Sequence, residues 1–286
     1  MEDLADEYVD FQIRSNADCR SEVFRESLGD FVGGLQEEST HDNSWYLLDE
    51  HLLDLPKARP DLAWILRSVQ TLLGVDEFEH FPPAVRPQEH CVIIGGVGAR
   101  SFLHSDPMEW MGWNLLLEGQ KLWTFLPPLP ELDAPLGTYR LTPNAFGSHN
   151  ISAGWQSNVD LYRNAPPTVD HRNGVSWPMS SPGQEVLAHA ISGVQEEGEV
   201  VIIPPRYWHQ VYHLEPSIAV ASQYMDERVR DRVFRHILNW CGTGKESLPA
   251  RFDFLPPAEQ AREVLKTSLV ARYGEPKGLK AFENLQ

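Results

Sequence analysis

An apolar hairpin between residues 113 and 126 constrains the fold of this 286-residue chain more than any other segment. Residues 113–117 form an apolar-rich run, residues 118–120 a tight turn around Gly119, and residues 121–126 a second apolar run that Pro127 ends. Short apolar runs bounded by turn residues are typical of buried antiparallel strands. Residues 198–203, 208–212 and 217–224 have the same character. The sequence therefore predicts a fold built mostly of β-strands.

Three side chains can bind a metal: His104 and Asp106 in the stretch 100–107, which precedes the hairpin and can be extended, and His209 near the start of the run at 208–212. Side chains of a strand alternate between its two faces, so His104 and Asp106 point the same way and can chelate one ion. Such a triplet occurs by chance in many chains, and a single buried His209 could equally bond a backbone carbonyl. Two imidazoles and one carboxylate that leave other positions open are typical of non-haem Fe(II) oxygenases.

Lys121 begins a strand that is otherwise apolar. Because burying an unpaired ammonium group is costly, such a lysine normally reaches the surface or pairs with an acid. The functional alternative is that Lys121 anchors the distal carboxylate of a dicarboxylate cosubstrate through a charge-assisted hydrogen bond.

Taken together, these motifs resemble the JmjC-domain oxygenases of the cupin superfamily over residues 44–225. The matching residues, in the family's order, are Trp45, Tyr46, Gly95, Gly96, Ser101, His104, Asp106, Pro107, Trp113, Asn114, Gly119, Lys121, Trp123, Gly198, Glu199, Pro204, Trp208, His209 and Val211. The resemblance implies a mostly β fold with flanking α-helices, in which a double-stranded β-helix (jelly-roll or cupin) core carries the site.

The resemblance also implies a ligand set. It implies that His104, Asp106 and His209 hold Fe(II), with 2-oxoglutarate and dioxygen as cosubstrates. In the subgroup that is most similar, the small JmjC protein hydroxylases, the positions around 2-oxoglutarate match Tyr46, Ser101, Asn114 and Lys121. Two residues depart from the family pattern: Ala221 stands where relatives offer a hydroxyl, and Gln223 where asparagine is frequent.

The chain divides into three predicted parts. We expect an N-terminal helical extension at residues 1–43 with a helix at 19–28, a catalytic core at 44–225 with an insertion at about 127–183, and a C-terminal helical segment at 226–286. Helical periodicity also predicts helices at 61–74, 226–240 and 257–273. The last two helices could pack on their own barrel, whereas the resemblance suggests a homodimer interface. Three further histidines are not expected to bind the metal: His149, His171 and His189.

Composition limits the partners. The formal charge of −17, from 41 acidic and 24 basic residues, argues against nucleic acid and would suit a basic peptide, with Glu109 and Asp160 expected near the cleft. The acidity could equally serve solubility alone. The three cysteines form no paired motif, which favours a reducing compartment. No signal peptide or membrane span is apparent, so we expect a cytoplasmic or nuclear protein.

Several functions fit these observations. The leading hypothesis is an Fe(II)- and 2-oxoglutarate-dependent dioxygenase that hydroxylates a C–H bond, on a lysyl or other protein side chain, with succinate and carbon dioxide as co-products. An N-methyl-lysine demethylase of the JmjC type uses the same iron chemistry, and a small-molecule hydroxylase would as well. A cupin-like binding protein without catalysis is the alternative from a different class.

Overall fold

The computed structural model describes residues 4–15, 21–81, 90–106, 109–132, 136, 139–140, 155–163, 168–170, 174–177, 184–242 and 257–285. The strands in that part of the chain are β1 (Tyr8–Ser15), β2 (Ser21–Ser27), β3 (Asn43–Asp49), β4 (Cys91–Gly95), β5 (His104–Ser105), β6 (Met111–Glu118), β7 (Lys121–Leu126), β8 (Tyr139–Arg140), β9 (Trp155–Gln156), β10 (Thr168–Asp170), β11 (Gly174–Ser176), β12 (Ile191–Gln195), β13 (Val200–Ile203), β14 (Trp208–His213) and β15 (Ser217–Tyr224). The helices are α1 (Leu28–Glu38), α2 (Arg59–Leu73), α3 (Gln184–Leu187), α4 (Glu227–Gly242), α5 (Pro257–Tyr273) and α6 (Glu275–Glu283), with 3₁₀ turns at Leu52–Asp54, Glu77–His80 and Pro130–Leu132.

Two antiparallel sheets form the centre of the molecule. One has seven strands in the order β13-β6-β15-β4-β3-β1-β2, and the other has six in the order β12-β7-β14-β5-β9-β8. The predicted hairpin is present as β6 and β7, and Gly119 between them has a φ of 85°. A side chain at Gly119 would collide with the carbonyl oxygen of Pro216, so this turn requires glycine. The mostly β, jelly-roll fold predicted from the sequence is confirmed.

The strands place alternate side chains on the two faces of each sheet. Trp123 of β7, Val211 of β14 and Ile203 of β13 form one apolar cluster to which both sheets contribute, so these residues lie between the sheets. On the outer side of the six-stranded sheet, Leu122 packs with Leu161 and other residues of the long insertion. The interior between the sheets is therefore lined by residues of both sheets, and the insertion covers the outer side of the six-stranded sheet.

The outer side of the seven-stranded sheet is covered by two helices. Phe31 of α1 packs with Val92 and Ile94 of β4. Ile65 and Val69 of α2 belong to a second cluster on this side, together with residues of β6 and β15. Helix α2 confirms the helix predicted at 61–74, and Gly74 ends it with a φ of 86°.

The N-terminal segment differs from the prediction. Residues 19–28 were expected to be helical, but strand β2 occupies Ser21–Ser27 and the helix α1 begins only at Leu28. Strand β1 pairs with both β2 and β3, so this hairpin extends the seven-stranded sheet. Ser27 caps α1, since its hydroxyl accepts a hydrogen bond from the backbone N–H of Asp30. Pairing with β1 thus outweighs the helical propensity of this segment.

The C-terminal helices α4 and α5 agree with the predicted helices, and α6 is an additional one. Val233 and Phe234 of α4 pack with Leu265 and Leu269 of α5 and with Phe81. These apolar stripes are therefore buried within the chain itself. Within the described ranges, no helix has both the length and the apolar character needed to cross a bilayer.

Candidate active site

His104, Asp106 and His209 meet between the two sheets. His104 in β5 and His209 in β14 are directly opposite each other in the strand register, and their ring centroids lie 4.1 Å apart. Asp106 follows β5, and its Oδ1 lies 3.8 Å from Nε2 of His104 and 3.9 Å from Nε2 of His209. The ligand atoms of all three residues lie within 4.8 Å of one another. Register between two strands thus assembles residues that are more than 100 positions apart in the sequence.

Hydrogen bonds fix both imidazole rings in one orientation. Nδ1 of His104 donates to the carbonyl oxygen of Phe102 at 2.7 Å, and Nδ1 of His209 donates to that of Tyr207 at 3.2 Å. With the proton held at Nδ1, the lone pair of each ring is on Nε2, the atom that faces Asp106. Backbone carbonyls commonly orient metal-binding histidines in this way.

The surroundings of His209 keep its ring neutral. Burial, followed by the nearby His104, lowers the pKa of His209 to about 4, whereas Asp106 and the Tyr207 carbonyl act in the opposite direction. Trp123 stacks against the ring with 6.1 Å between centroids. A metal ligand must be deprotonated, so a ring that stays neutral at physiological pH is ready to bind an ion.

The lack of a side chain at Gly112 leaves room for the Asp106 carboxylate. A Cβ atom at Gly112 would lie 3.0 Å from Oδ2 of Asp106 and 2.9 Å from Cδ1 of Ile203. Gly112 lies in β6 directly opposite Ile203 of β13, so the carboxylate packs over the backbone of the seven-stranded sheet. The two imidazoles come from one sheet, and the other sheet shapes the position of the carboxylate.

A group of buried polar side chains lies farther along the same space. Lys121 is 1% exposed, and within the described part of the chain no carboxylate lies within ion-pair distance of its ammonium group. Burial lowers the pKa of Lys121 to about 7. Asn114 is 2% exposed, and its buried Oδ1 has no hydrogen-bond partner. A buried ammonium group without a carboxylate beside it and an amide oxygen without a donor together suggest a missing polar ligand.

Tyr46 extends from β3 toward this group. Its ring meets the ring of His213 edge-on, with 5.9 Å between centroids, across the space between the sheets. Burial raises the pKa of Tyr46 well above its usual value, so its hydroxyl remains a hydrogen-bond donor. The family resemblance implies that Tyr46, Asn114 and Lys121 surround a cosubstrate, and in the structure all three face the interior or are buried.

Ser101 has a second role that the sequence did not indicate. Its hydroxyl oxygen accepts a hydrogen bond from the backbone N–H of Val211 at 3.0 Å, and its carbonyl accepts one from Gln210. These bonds tie the segment before β5 to strand β14, which carries His209. The hydroxyl proton of Ser101 remains available for a further acceptor.

Ala221, which stands where relatives offer a hydroxyl, lies next to a cysteine in the strand register. Ala221 lies between Cys91 of β4 and Asn114 of β6 in the strand register. Burial raises the pKa of Cys91 to about 12, so its thiol stays protonated. Sequence reasoning assigned no role to Cys91, and a single cysteine without a motif gave no signal for one.

His213 is the other residue that the sequence analysis missed. It is 1% exposed and lies opposite Lys121 in the register of β14 and β7. Its spacing of four residues from His209 on a predicted strand, which places both on one face, was the available signal. Of the three histidines that were not expected to bind the metal, His189 is exposed, and His149 and His171 lie outside the described residues.

The two acids expected beside the cleft are both paired with arginines. Glu109 lies 3.8 Å from Arg206 and 3.6 Å from Arg232. Asp160 accepts hydrogen bonds from Arg14 at 2.8 Å and from Arg100 at 3.0 Å. Arginines therefore offset both carboxylates locally, and the expectation that these two acids attract a basic substrate stays a prediction.

The chain is similar to a known protein family and to several known proteins. The family model described as "Cupin-like domain" matches residues 5–228. The bifunctional arginine demethylase and lysyl-hydroxylase psr-1 of Caenorhabditis elegans is 27% identical over 158 residues, which cover 55% of this chain and 34% of the relative. The 2-oxoglutarate and iron-dependent oxygenase JMJD4 of Gallus gallus is 25% identical over 135 residues, which cover 47% of this chain and 26% of the relative.

The chain thus spans about a third or less of the length of these two relatives. Among solved structures it is similar to the X-ray structure of E. coli ycfD, with a TM-score of 0.38, 15% identity, and coverage of 98% of this chain and 61% of that one.

Proposed function

This chain belongs to the cupin-like domain family, and from that premise we propose that it is an oxygenase that depends on Fe(II) and 2-oxoglutarate. The observation that carries the proposal is a His-Asp-His group between the two sheets together with a buried Lys121 that has no carboxylate partner among the described residues. The first feature suits a divalent iron ion, and the second suits a carboxylate. Relatives that bear the names of such oxygenases and demethylases support it.

The donor set fits Fe(II). Nε2 of His104, Nε2 of His209 and a carboxylate oxygen of Asp106 are neutral nitrogen and anionic oxygen ligands, and the Asp106 oxygen lies within 4 Å of each nitrogen. Two ligands of one ion, each about 2.0–2.2 Å from it as in zinc sites, are separated by at most about 4.4 Å. We propose that these three residues hold the iron and leave its remaining positions to the cosubstrates.

The polar residues farther along would position the cosubstrate. Lys121 would donate a charge-assisted hydrogen bond to the distal carboxylate of 2-oxoglutarate, and the Tyr46 hydroxyl would donate a second one. The side-chain amide of Asn114 and the hydroxyl of Ser101 complete the proposed contacts. Trp123 and Val211 cover the space with apolar surface, which excludes water from the reacting groups.

Bound Fe(II), 2-oxoglutarate and dioxygen would supply the oxidation of a substrate C–H bond, with succinate and carbon dioxide as co-products. We propose a protein or peptide side chain as substrate, because the relative psr-1 is named for acting on arginine and lysine. Removal of an N-methyl group would use the same residues and differs only in the fate of the hydroxylated carbon. A small-molecule substrate and a binding role without catalysis are the alternatives.

The experiment is product analysis on the iron-loaded protein. The protein is incubated aerobically with 2-oxoglutarate and a peptide or proteome extract, succinate is measured, and peptides are analysed by mass spectrometry. A gain of one oxygen supports hydroxylation, and loss of a methylene supports demethylation. Asp106→Ala is expected to abolish succinate formation, whereas His189→Ala should retain it. Failure of the wild-type protein to form succinate with any substrate would contradict the proposal and favour a binding protein.

Three further features belong to the proposal. A preference for basic substrates rests on the net charge of −17 alone, since Glu109 and Asp160 are paired, and it predicts that kcat/KM falls as salt rises. A homodimer through α4 and α5 is testable by sedimentation. A cytoplasmic or nuclear location, without nucleic acid as a partner, is testable by fluorescence imaging of the tagged protein.

A further inference from the structure

His213 lies at the end of the interior between the sheets that is remote from the His-Asp-His group along strand β14. It follows His209 by four residues, so both rings project from the same face of the strand. Across the register it is the direct partner of Lys121 on β7. Side chains of directly opposed residues on one face lie within reach of each other. His213 and Lys121 thus form a buried basic pair.

Three contacts hold the ring of His213 in place. Its Nδ1 lies 2.7 Å from the hydroxyl oxygen of Ser217. The ring of Tyr46 meets it edge-on from the opposite sheet. The third contact is the backbone of Gly95, because a Cβ atom there would lie only 2.5 Å from Cε1 and Nδ1 of the ring. Glycine at this position therefore leaves the space that the imidazole fills.

The pair of His213 and Lys121 lacks an acidic partner among the described residues. Burial, followed by the nearby Lys121, lowers the pKa of His213 well below its ordinary value, and the Gly95 carbonyl acts in the opposite direction. Among the side chains that the structure describes, neither His213 nor Lys121 has a carboxylate within ion-pair distance. Two basic groups enclosed without an acid are costly unless an anion joins them.

We propose that His213 is a second contact, beside Lys121, for the carboxylate of 2-oxoglutarate that is remote from the metal. The inference rests on the proposed function and adds a residue to that site. In the chain without ligand the ring N–H of His213 donates to the Gly95 carbonyl. When the Ser217 hydroxyl donates to Nδ1, the proton of the neutral ring is on Nε2, and this N–H donates to the carboxylate in place of Gly95. Ser217 is then a positioning residue, since it selects the tautomer that can donate.

The test compares two 2-oxo acids that differ only at the far end. 2-Oxopentanoate has the same chain length as 2-oxoglutarate and the same metal-binding group, but it lacks the distal carboxylate. Binding of both acids to the Mn(II)-loaded protein is measured by anaerobic calorimetry for the wild type, His213→Leu, His213→Asn and the control His189→Leu. Mn(II) replaces Fe(II) so that affinity is measured without turnover.

We expect His213→Leu to weaken 2-oxoglutarate binding by about tenfold, as for the loss of one hydrogen bond to a charged group. Binding of 2-oxopentanoate should not change. His213→Asn retains an N–H donor and should recover part of the loss, while the exposed His189→Leu should match the wild type. Ser217→Ala should show a smaller loss that is also confined to 2-oxoglutarate.

Two results would overturn the inference while leaving the proposed function in place. One is an equal loss for both acids in His213→Leu and His213→Asn, which indicates a purely structural ring. The other is a ratio of the two dissociation constants, for 2-oxoglutarate and 2-oxopentanoate, that is the same in both variants as in the wild type. If the wild-type protein itself binds neither acid, the proposed function fails together with this inference.

Discussion

Replacing Lys121 with methionine should make the metal-free protein more stable and its ligand binding weaker. Burial lowers the pKa of this amine from 10.5 to about 7. At about 1.36 kcal/mol per pKa unit, the buried amine destabilises the folded chain at pH 7 by on the order of 4 kcal/mol. Methionine fills a similar volume without a charge, so Lys121→Met should raise the free energy of unfolding by about 2 to 4 kcal/mol.

The pH dependence of this difference has a definite sign. Between pH 7 and the unfolded pKa of 10.5, the unfolded chain keeps the lysine proton that the folded chain releases. Stability rises with pH wherever the unfolded state binds more protons, so the wild-type protein gains stability over this range. Lys121→Met has no such group. The stability difference should therefore narrow by about 2 kcal/mol between pH 7 and pH 9.

Urea unfolding of the metal-free proteins at pH 7 and pH 9 measures both effects. The exposed Lys277→Met is the matched control and should change stability by no more than about 0.5 kcal/mol. The same Lys121→Met protein should still bind the metal but bind 2-oxoglutarate about 10- to 100-fold more weakly. A less stable Lys121→Met protein, or a difference that does not change with pH, would refute the reasoning that this amine is buried without an anion.

Other perturbations test the neighbouring parts of the site. Gly112→Ala should narrow the space beside the metal-binding carboxylate and weaken Mn(II) binding by about tenfold. Gly193→Ala is the control and should not weaken it, because a Cβ atom added there meets open space. Metal titration of both variants checks this. His209→Ala should lose the metal while the exposed His189→Ala retains it, as metal analysis of the folded proteins would show. Binding of 2-oxoglutarate to the wild type should weaken as pH rises above about 7, because Lys121 then loses its proton, and calorimetry across pH 6.5 to 8.5 would detect this.

The sequence predicted the strands of the central sheets well because their apolar runs are bounded by turn residues. Strand β15 has the predicted bounds, and the hairpin of β6 and β7 turns at the predicted Gly119. The error at residues 19–28 has a physical cause. Strand β2 lies at the edge of the seven-stranded sheet and exposes most of its side chains, so it has no apolar alternation to reveal it. Its partner β1 determines its conformation, and local propensity does not record that pairing.

The candidate site was predictable to a different extent for each residue. The His104–Asp106 spacing on a strand was a local signal, and the structure brings His209 beside them through the register of β5 and β14. The spacing of His213 from His209 was only a weak signal, because the significance of His213 depends on Lys121, which lies opposite it only after the sheet has formed. The ion pairs of Glu109 were equally hidden, since residue spacing alone does not place its arginine partners near it.

The central claim is that His104, Asp106 and His209 hold Fe(II) together with a 2-oxo acid. Anaerobic titration of the protein with Fe(II) in the presence of 2-oxoglutarate tests it most directly, through the visible charge-transfer absorption that a bidentate 2-oxo acid gives with ferrous iron. We predict an absorption band that saturates at one iron per chain and is absent from Asp106→Ala. A wild-type protein that is folded yet develops no band, or an Asp106→Ala protein that develops the same band, would contradict the claim.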